Sequence, residues 1–292
     1  MQTEGDGVVG SAPVWLITGC SSGLGFTIAA AAADAGARVV ATARRTEALA
    51  PLVASAPDRI EGLQLDVTNY RQAEAVVAEV EERFGGIDVL VNNAGRVHLG
   101  ATEEITDEEL RAVFELHVFA PTHLVRTVLP GMRRRGGGTI VQMSTKGAFL
   151  ITPGFGAYTA SKAALEGISA TLATEVADHG IRVLIVEPGS HRTSVFADGT
   201  ISKSNPDESY ASTVGTVREF IDGVHGTQSG DPDKAARAIV DVVESGEGPL
   251  RLPLGGDAVD EVRDALRKIE EDYVAWEDFA RSTSFDPVRG SE

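Results

Sequence analysis

The sequence predicts an α/β fold in which helices cover both faces of a doubly wound parallel sheet of about seven strands. Short runs rich in Val, Ile and Leu alternate along the chain with longer Ala-rich segments flanked by charges, which is the pattern of βα units. Several runs are apolar on consecutive residues, as strands buried on both faces tend to be. The 292 residues, 42% of them hydrophobic, are ordinary for one domain of this class. We therefore expect a single domain at 13–292 and a flexible N-terminal tail at 1–12.

The predicted elements follow this alternation in order. The strands are VWLIT (14–18), ARVVATA (37–43), IEGLQLD (60–66), IDVLVNN (87–93), GTIVQMS (138–144), IRVLIVE (181–187) and PLRLPL (249–254). The helices are expected at 23–35, 46–54, 69–84, 106–135 with a break around Pro121, 157–179, 231–245 and 256–281, the last being an acidic C-terminal extension. Residues 194–230 show no strong period and are interpreted as a mobile lid over the substrate.

Composition excludes several classes of protein. The chain has 26 Lys and Arg against 43 Asp and Glu, a net charge of −17, so its overall field opposes the binding of nucleic acid. No apolar run approaches ~18 residues, so no segment is expected to cross a membrane. The N-terminus lacks a basic region leading into an apolar one, and the single cysteine, Cys20, excludes an internal disulfide. These features predict a cytoplasmic protein, and the six His and one Cys show no metal-ligand spacing.

A glycine-rich turn, TGCSSGLG at 18–25, follows the first strand and opens the first helix. Free backbone N–H groups at a helix N-terminus favour a phosphate, and missing side chains let the backbone approach it. The spacing is G-x-x-x-G-x-G, unlike the G-x-G-x-x-G of the common dinucleotide fingerprint. We predict that this turn holds the phosphates of a cofactor. The residues expected to contribute are Gly19, Ser21, Ser22, Gly23, Leu24 and Gly25.

Four further motifs stand at fixed places relative to the predicted strands. They are Asp66 after the third strand, NNAG (92–95) at the end of the fourth, YTASK (158–162) after the fifth and EPGSHRTSV (187–195) after the sixth. With the glycine-rich turn they resemble the short-chain dehydrogenase/reductase superfamily, specifically its single-domain NAD(P)-dependent branch. The resemblance implies a Rossmann-type fold and a small-molecule carbonyl or alcohol substrate. It also implies a homodimer or homotetramer that pairs the fourth and fifth predicted helices.

Tyr158 and Lys162 are four residues apart, so on a helix they share one face. A free tyrosine has a pKa of about 10, and positive charge from Lys162 or an oxidised nicotinamide would lower this pKa. The phenol would then exchange a proton with the substrate oxygen as a hydride moves to or from the cofactor. The resemblance implies that Lys162 also holds the nicotinamide ribose.

The end of the second strand bears on the choice of cofactor. An acidic residue there would accept hydrogen bonds from the ribose of NAD and repel the 2′-phosphate of NADP, but the chain reads ATARR. Arg44 and Arg45 present planar forks of donors to a phosphate, so we predict NADP(H) in preference to NAD(H). The resemblance implies further cofactor contacts from Asp66 and Val67 at the adenine, Asn93, Ala94 and Gly95 at the adenosine ribose, and Pro188, Gly189 and Thr193 beside the nicotinamide.

Two adjacent hydroxyls compete for the role of binding the substrate oxygen. Family members usually place a serine 13 residues before the tyrosine; here that position is Thr145, and Ser144 lies 14 residues before it. Adjacent residues on a strand point to opposite faces, so one of the two is expected to serve. We favour Thr145 and keep Ser144 as the alternative. Lys146, which follows, is interpreted as an outward-facing surface lysine.

His117 stands where the family usually has an asparagine that holds a water of the proton path from the lysine. An imidazole also donates and accepts, so His117 is a candidate for a proton relay, and the alternative is that it only fills space. Beside Lys162 its pKa is expected to fall below about 6.5, which would leave it neutral. His98 and His191 border the expected pocket and are interpreted as polar loop residues.

Three functions are compatible with these motifs. The favoured one is an NADP(H)-dependent oxidoreductase that interconverts a ketone or aldehyde and an alcohol, with Tyr158 as acid/base. The second is a family member with weak or diverted redox chemistry, such as an isomerase, dehydratase or cyclase, which His117 and Thr145 motivate. The third is a cofactor-binding regulatory or scaffolding protein, against which the intact Tyr158 and Lys162 argue. Loop composition does not identify the substrate.

Overall fold

A parallel sheet lies at the centre of the structure, a computed structural model that describes residues 12–196, 200–224 and 226–285. In this part of the chain the strands are β1 (Val14–Ile17), β2 (Arg38–Ala43), β3 (Ile60–Gln64), β4 (Val89–Asn92), β5 (His98–Leu99), β6 (Gly138–Met143), β7 (Ile181–Pro188), β8 (Ser202–Lys203) and β9 (Arg251–Leu254). Except for Ala12, the predicted tail at 1–12 lies outside the described residues.

Helices connect the strands. They are α1 (Gly23–Asp34), α2 (Ala50–Ser55), α3 (Tyr70–Phe84), α4 (Asp107–Phe114), α5 (Ala120–Arg135), α6 (Gly156–Val176), α7 (Thr216–Val224), α8 (Pro232–Glu244), α9 (Gly256–Ala275) and α10 (Glu277–Arg281). No described helix has the length and apolar character needed to cross a membrane.

The main sheet has seven strands in the described residues, in the order β3-β2-β1-β4-β6-β7-β9, and every neighbouring pair is parallel. The chain winds outward from β1 to one edge through β2 and β3. It then returns to β4 and winds to the other edge through β6 and β7 to β9. This arrangement confirms the predicted doubly wound α/β fold, and all seven predicted strands are present.

Two apolar layers cover the faces of the sheet. One combines sheet residues with α1, α2 and α8, and the other combines the opposite sheet face with α3, α5 and α6. Strands β1 and β4 are buried at every position, which explains their uninterrupted apolar runs. The polar residues of the candidate site therefore collect where the strands end.

The helical segment predicted at 106–135 differs from expectation at its centre. The chain does not break at Pro121: a π-helical turn over Glu115–Phe119 joins α4 to α5, and Pro121 lies in the first turn of α5. A proline removes one N–H from the helical ladder, and the wider π turn just before it absorbs the change. The same turn carries His117 inward, where it is buried.

The region predicted as a lid at 194–230 contains more regular structure than its composition indicated. Its described residues include α7 and the short strand β8, which pairs in parallel with β5 in a separate two-stranded sheet. A third apolar cluster joins these parts through Leu99, Val214 and Ile221. Residues 197–199 and 225 of this prediction lie outside the described structure.

The predicted C-terminal extension is helical, as α9 followed by α10. Only Ala258 and Val262 of α9 are buried against the body of the protein. The rest of the extension projects apolar side chains outward, among them Leu266, Ile269 and Trp276. The extension is thus attached to the domain by its first two turns.

Candidate active site

The candidate site lies along the carboxyl ends of the parallel strands. The glycine-rich turn follows β1, Arg44 follows β2, Asn93 follows β4 and Thr145 follows β6. Because the sheet order places β3 and β2 at one side and β6 and β7 at the other, the residues predicted for adenine and for nicotinamide fall at opposite ends of one row. This order matches an extended dinucleotide laid across the sheet edge.

Steric contacts explain the glycines of the turn at 18–25. Gly19 has φ +71, and a Cβ there would lie 2.8 Å from the Cα of Ala94. Gly23 has φ +64 and faces the Thr193 side chain, and a Cβ on the buried Gly25 would collide with the Asn93 amide. Only residues without side chains fit at Gly19 and Gly25. Leu24, by contrast, packs against the core.

The N-terminus of α1 presents free donors to this turn. Ser22 occupies the N-cap position without making a side-chain capping hydrogen bond, and the first turn of the helix carries no acidic residue. Ser21 and Ser22 are exposed. Unpaired N–H groups, two hydroxyls and the positive end of a helix dipole together form a donor set suited to phosphate oxygens.

Asn93 fixes the turn from the neighbouring strand. Its Nδ2 donates to the carbonyl oxygens of Thr18 at 2.8 Å and of Gly19 at 3.1 Å. The Thr18 hydroxyl in turn accepts from the backbone N–H groups of Asn93 and Ala94, both at 3.0 Å. The turn-stabilising role of Asn93 is therefore present in the structure, while its contact with a ribose stays a prediction. Sequence reasoning missed Thr18, although the turn motif begins with it.

The adenine side of the row is open to solvent. Arg44 and Arg45 are exposed just after β2, and neither guanidinium has a partner among the described residues. Asp66 is half-buried and accepts from the Thr68 N–H and hydroxyl at 3.0 and 2.7 Å, while Val67 is buried. The two arginines are therefore free to meet an anionic group, and Asp66 mainly shapes its own loop.

Tyr158, in the first turn of α6, meets only one of the two candidate hydroxyls. The Thr145 side chain lies close enough to the phenol to lower its pKa, and both residues flank the Cβ position of Gly147, whereas the Ser144 hydroxyl is buried without a hydrogen-bond partner among the described residues. Thr145 also accepts from the Gly147 N–H at 3.1 Å, which orients its side chain. The structure thus brings Thr145 and Tyr158 together and leaves Ser144 apart, as adjacent positions on a strand require.

Lys162 lies on the same face of α6 as Tyr158, and it is 5% exposed. Its Nζ donates to the Met143 carbonyl at 2.7 Å, at the end of β6. Burial lowers the pKa of Lys162 to about 8, although the nearby Glu166 carboxylate opposes this. The ammonium is therefore held at the end of the sheet, beside the residues that flank Tyr158.

The pKa of Tyr158 differs from the sequence-based expectation. Burial raises the pKa of this phenol to about 12, and the nearby Thr145 hydroxyl offsets only part of the rise. Lys162 is not among the groups that lower this pKa. The chain's own residues thus keep the phenol protonated.

Both ring nitrogens of His117 are engaged in hydrogen bonds. Nε2 accepts from the Arg96 N–H at 3.2 Å, so Nδ1 carries the proton and faces the Ser161 hydroxyl at 3.0 Å. Ser161 donates onward to the Tyr158 carbonyl at 2.7 Å. The His117 ring also meets the Tyr158 ring edge-on, with centroids 5.4 Å apart. His117 therefore braces Tyr158, partly through Ser161, a residue that sequence reasoning missed.

The predicted neutrality of His117 agrees in direction with the structure. Burial is the main cause and the positive charges of Lys162 and Arg96 add to it, together lowering the pKa of His117 to about 2. With one nitrogen accepting and the other donating, the ring has no remaining site for a direct contact with Lys162. A relay through His117 would need one of these hydrogen bonds to break.

The interpretation of Lys146 as an outward-facing surface lysine is wrong. Its side chain is 17% exposed, and its Nζ bonds to Asp257 at 2.8 Å and to Glu261 at 2.9 Å. Asp257 also accepts from the Ser190 N–H at 2.7 Å. The reason is tertiary: the start of α9 lies against the turn after β6, a contact that local sequence does not encode.

The loop after β7 forms the side of the row that was predicted to lie beside the nicotinamide. Pro188 ends the strand, the Gly189 N–H donates to the Leu254 carbonyl at 2.8 Å, and Thr193 lies over Gly23 of the glycine-rich turn. His191 is buried in this loop, where its backbone bridges to Gly230. Its interpretation as a polar loop residue holds for its position, but it is not solvated.

The substrate side is held by a network of charged and polar groups. His98 is buried in β5 rather than in a loop, 2.9 Å from the Ser204 hydroxyl, which itself donates to Glu109 at 3.0 Å. Burial lowers the pKa of His98. Arg218 of α7 pairs with Glu104 at 2.7 Å, and the Glu104 side chain is 2% exposed. These bonds fasten the predicted lid onto residues 98–109.

Comparisons with known proteins agree with this geometry. A family model described as short chain dehydrogenase matches residues 13–202. Oxidoreductase BOA17 of Botryotinia fuckeliana is 35% identical over 93% of this chain and 99% of its own length.

Solved structures extend the comparison. A short-chain dehydrogenase from Streptomyces avermitilis has 51% identity and a TM-score of 0.88, over 94% of this chain and all of its own. An alcohol dehydrogenase from Thermococcus sibiricus complexed with 5-hydroxy-NADP has a TM-score of 0.68 at 24% identity, over 84% of this chain and 96% of its own, a likeness of fold. The chain therefore belongs to the short-chain dehydrogenase/reductase superfamily.

Proposed function

We propose that the protein is an NADP(H)-dependent oxidoreductase that interconverts a ketone or aldehyde and an alcohol. The observation that carries the proposal is the proximity of Tyr158 to Thr145, with the buried Lys162 one helical turn from Tyr158, at the end of the row that begins with the glycine-rich turn. Membership of the family supports an oxidoreductase that uses a nicotinamide cofactor.

The residues present fit such a cofactor. Gly19 and Gly25 leave no room for a Cβ beside Asn93 and Ala94, and the N-terminus of α1 offers unpaired donors for a pyrophosphate. Arg44 and Arg45 are exposed and, among the described residues, unpartnered after β2, where a 2′-phosphate would need cations. When bound, the nicotinamide supplies or accepts the hydride.

The chain's own residues manage the proton. Thr145 and Tyr158 lie close together, so a substrate oxygen placed between their hydroxyl groups would receive two hydrogen bonds. In reduction the phenol donates its proton to this oxygen, and a phenol with a pKa of about 12 is fully protonated at neutral pH. Lys162 holds positive charge beside the site. The reverse reaction requires additional positive charge to stabilise the phenolate.

Tyr158→Phe tests the mechanism. We expect turnover of an accepted carbonyl substrate to fall by about 10²–10⁴-fold, because the proton donor is lost while the ring still packs against His117. NADPH binding, measured by fluorescence titration, should remain. Tyr273→Phe is the matched control, since Tyr273 is 77% exposed on α9. Unchanged turnover in Tyr158→Phe would contradict the mechanism. Tight NADPH binding by wild type without turnover of any carbonyl would favour diverted chemistry.

Arg44→Asp tests the cofactor preference. The substitution puts a like charge beside a 2′-phosphate, so we expect NADPH affinity to fall by at least about tenfold more than NADH affinity. The ratio of the NADPH and NADH dissociation constants provides the control, because a general defect of the glycine-rich turn would raise both constants. Equal losses would show that Arg44 does not contact the phosphate.

A homodimer or homotetramer is also proposed, as the family resemblance implies. Leu110 of α4, Phe119 beside α5 and Ile168 of α6 are 37%, 51% and 39% exposed, which leaves apolar surface on the helices expected to pair. Light scattering on a sizing column measures the mass directly. A monomer at micromolar concentration would contradict this proposal without affecting the catalytic one.

A further inference from the structure

A carboxylate from the C-terminal extension reaches both loops that border the proposed hydride-transfer site. Asp257 lies in the first turn of α9, which begins directly after β9. Its Oδ2 accepts from the Lys146 Nζ at 2.8 Å and from the Ser190 N–H at 2.7 Å. One oxygen atom therefore joins the turn after β6 to the loop after β7.

The two partners stand next to residues of the candidate site. Lys146 directly follows Thr145, whose side chain lies near Tyr158, and Ser190 directly follows Gly189. Strands β6 and β7 are parallel neighbours, so the two loops leave the sheet side by side and have no other strand between them. A shift of either loop would change the distance between the Thr145 hydroxyl, which is proposed to bind the substrate oxygen, and the loop after β7, which is proposed to lie beside the nicotinamide.

Glycine makes this close approach possible. A Cβ at Gly189 would collide with the Asp257 carboxylate, and Gly255, with φ +102, lets the chain turn from β9 into α9. The contact is also electrostatically favourable. Burial raises the pKa of Asp257, but the hydrogen bonds from Lys146 and Ser190 outweigh this effect and lower the pKa to about 2. The carboxylate therefore stays ionised at every pH at which the protein is assayed.

We infer that Asp257 is a positioning residue for the active site, holding the Thr145 turn and the Pro188–Ser190 loop at a fixed separation through Lys146 and the Ser190 N–H. The inference rests on the proposed hydride-transfer function. Catalytic groups lose effectiveness steeply when displaced by about 1 Å, so a tether of this kind acts on the chemical step rather than on substrate affinity.

Glu261 provides a matched control. It lies one turn further along α9 and also pairs with Lys146, at 2.9 Å, but it is 47% exposed and does not contact the loop after β7. Glu261→Gln removes a charge from Lys146 and leaves the connection between the two loops intact. Exposed pairs of this kind contribute little.

Hydrogen exchange measured without cofactor or substrate tests the tether itself. In Asp257→Ala the Ser190 N–H loses its acceptor, and we expect its exchange to accelerate by about tenfold or more relative to wild type. In Lys146→Met and Glu261→Gln it should exchange as in wild type, because Asp257 remains. Asp257→Asn keeps an acceptor for Ser190 and should show intermediate exchange. Wild-type exchange in Asp257→Ala would overturn the inference.

Steady-state kinetics tests the consequence. We expect kcat to fall by about 10–100-fold in Asp257→Ala and in Lys146→Met, with KM changed by less than about threefold, and Glu261→Gln to match wild type. If Asp257→Ala exchanges faster yet keeps the wild-type kcat, the positioning role is wrong. If wild-type protein reduces no carbonyl, the proposed function fails instead, and the exchange data still decide whether the tether exists. Melting temperatures within a few degrees of wild type exclude loss of the fold.

Discussion

The glycine-rich turn at 18–25 and the segment at 200–224, which was predicted as a lid, are held by different sets of contacts. The turn is fixed by steric exclusion and by uncharged hydrogen bonds from Asn93 to backbone carbonyls. The segment is joined by the β8 pairing and an apolar cluster, and in addition by side-chain charges, above all the pair of Glu104 and Arg218. A turn of the first kind accepts very few residue types, whereas charges can be paired in many ways.

Because the two regions are held by different contacts, substitutions in them should disrupt different parts of the structure. Steric contacts at the turn leave no alternative arrangement, so a substitution there disturbs the body of the sheet. The charged network is confined to residues 98–109 and 200–224, so its loss should release that part of the structure while the rest stays folded. Substitutions in the two regions should therefore have distinguishable effects.

Arg218→Met should have the largest effect. It leaves the Glu104 carboxylate, 2% exposed, without its cation, and removal of one partner from a buried pair costs about 3 kcal/mol. We expect fast proteolysis within residues 200–224 and an increase in the KM of the carbonyl substrate, with NADPH affinity unchanged. Limited proteolysis and fluorescence titration measure these effects.

Lys203→Met is the control for that prediction. Lys203 pairs with Asp222 in the same segment, but the two side chains are 34% and 61% exposed. Its loss should change stability by less than about 0.5 kcal/mol. Equal sensitivity of the two variants to protease would show that burial of the pair does not hold the segment.

Gly25→Ala should destabilise the fold by about 2–3 kcal/mol and abolish NADPH binding, because its Cβ would collide with the Asn93 amide. Gly167→Ala is the matched control. Gly167 lies in the interior of α6, and apart from its chain neighbours and the nearby backbone of its own helix no described atom lies within 4 Å of the position that a Cβ would take, so alanine should stabilise the protein by about 0.5–1 kcal/mol. Urea denaturation measures both. Similar values for the two variants would contradict the steric account of the turn.

Glu187, at the end of β7 between the two regions, should make stability depend on pH. Burial, with the nearby Glu166 adding to it and Arg251 opposing it, raises the pKa of this carboxyl to about 7. Between about pH 4.5 and 7 the folded state therefore keeps a proton on Glu187, whereas the unfolded state, in which the pKa of this group is near 4.5, has lost it. Stability should therefore fall as the pH rises from about 4.5 to 7, by on the order of 2 kcal/mol.

Glu187→Gln isolates this effect, since an amide cannot ionise. The variant should lose the pH dependence over that interval and unfold at higher denaturant concentration than wild type at pH 8. Thermal or urea unfolding at a series of pH values gives the comparison. A wild-type stability that is flat between pH 4.5 and 7 would refute the assignment.

His117→Leu should lower stability by about 1–2 kcal/mol, because the Arg96 N–H and the Ser161 hydroxyl lose a partner. Since the pKa of His117 is about 2, we expect pH–rate profiles of the same shape between pH 5 and 9 for wild type, His117→Leu and His117→Asn. A profile altered in His117→Leu and restored in His117→Asn would support a proton relay through this position.

Local constraints on the backbone explain which parts of the site could be predicted from the sequence. The glycine-rich turn, NNAG and YTASK are short motifs whose residue types are dictated by close backbone approach and by helix geometry, so their places at the strand ends were predictable. The choice between Thr145 and Ser144 depended on one residue of register, and Thr145 is the one that lies near Tyr158. The site roles themselves stay predictions.

Other features depended on residues far apart in the chain. The bond from Lys146 to Asp257 spans 111 positions, and that from Arg218 to Glu104 spans 114. Nothing in the local sequence around Lys146 or Arg218 distinguishes these two residues from solvated surface residues. The same holds for His98, which became buried because β8 pairs beside it.

The sequence by itself determined the order of strands and helices, the glycine turn and the spacing of Tyr158 and Lys162. These features rest on local constraints: backbone conformation, burial of apolar runs and the period of a helix. Only the tertiary structure decided that the pKa of Tyr158 is raised, that His117 braces Tyr158 through Ser161, and that Asp257 joins two active-site loops. Burial and hydrogen-bond partners are properties of the packed chain, so they follow from the fold and not from residue type.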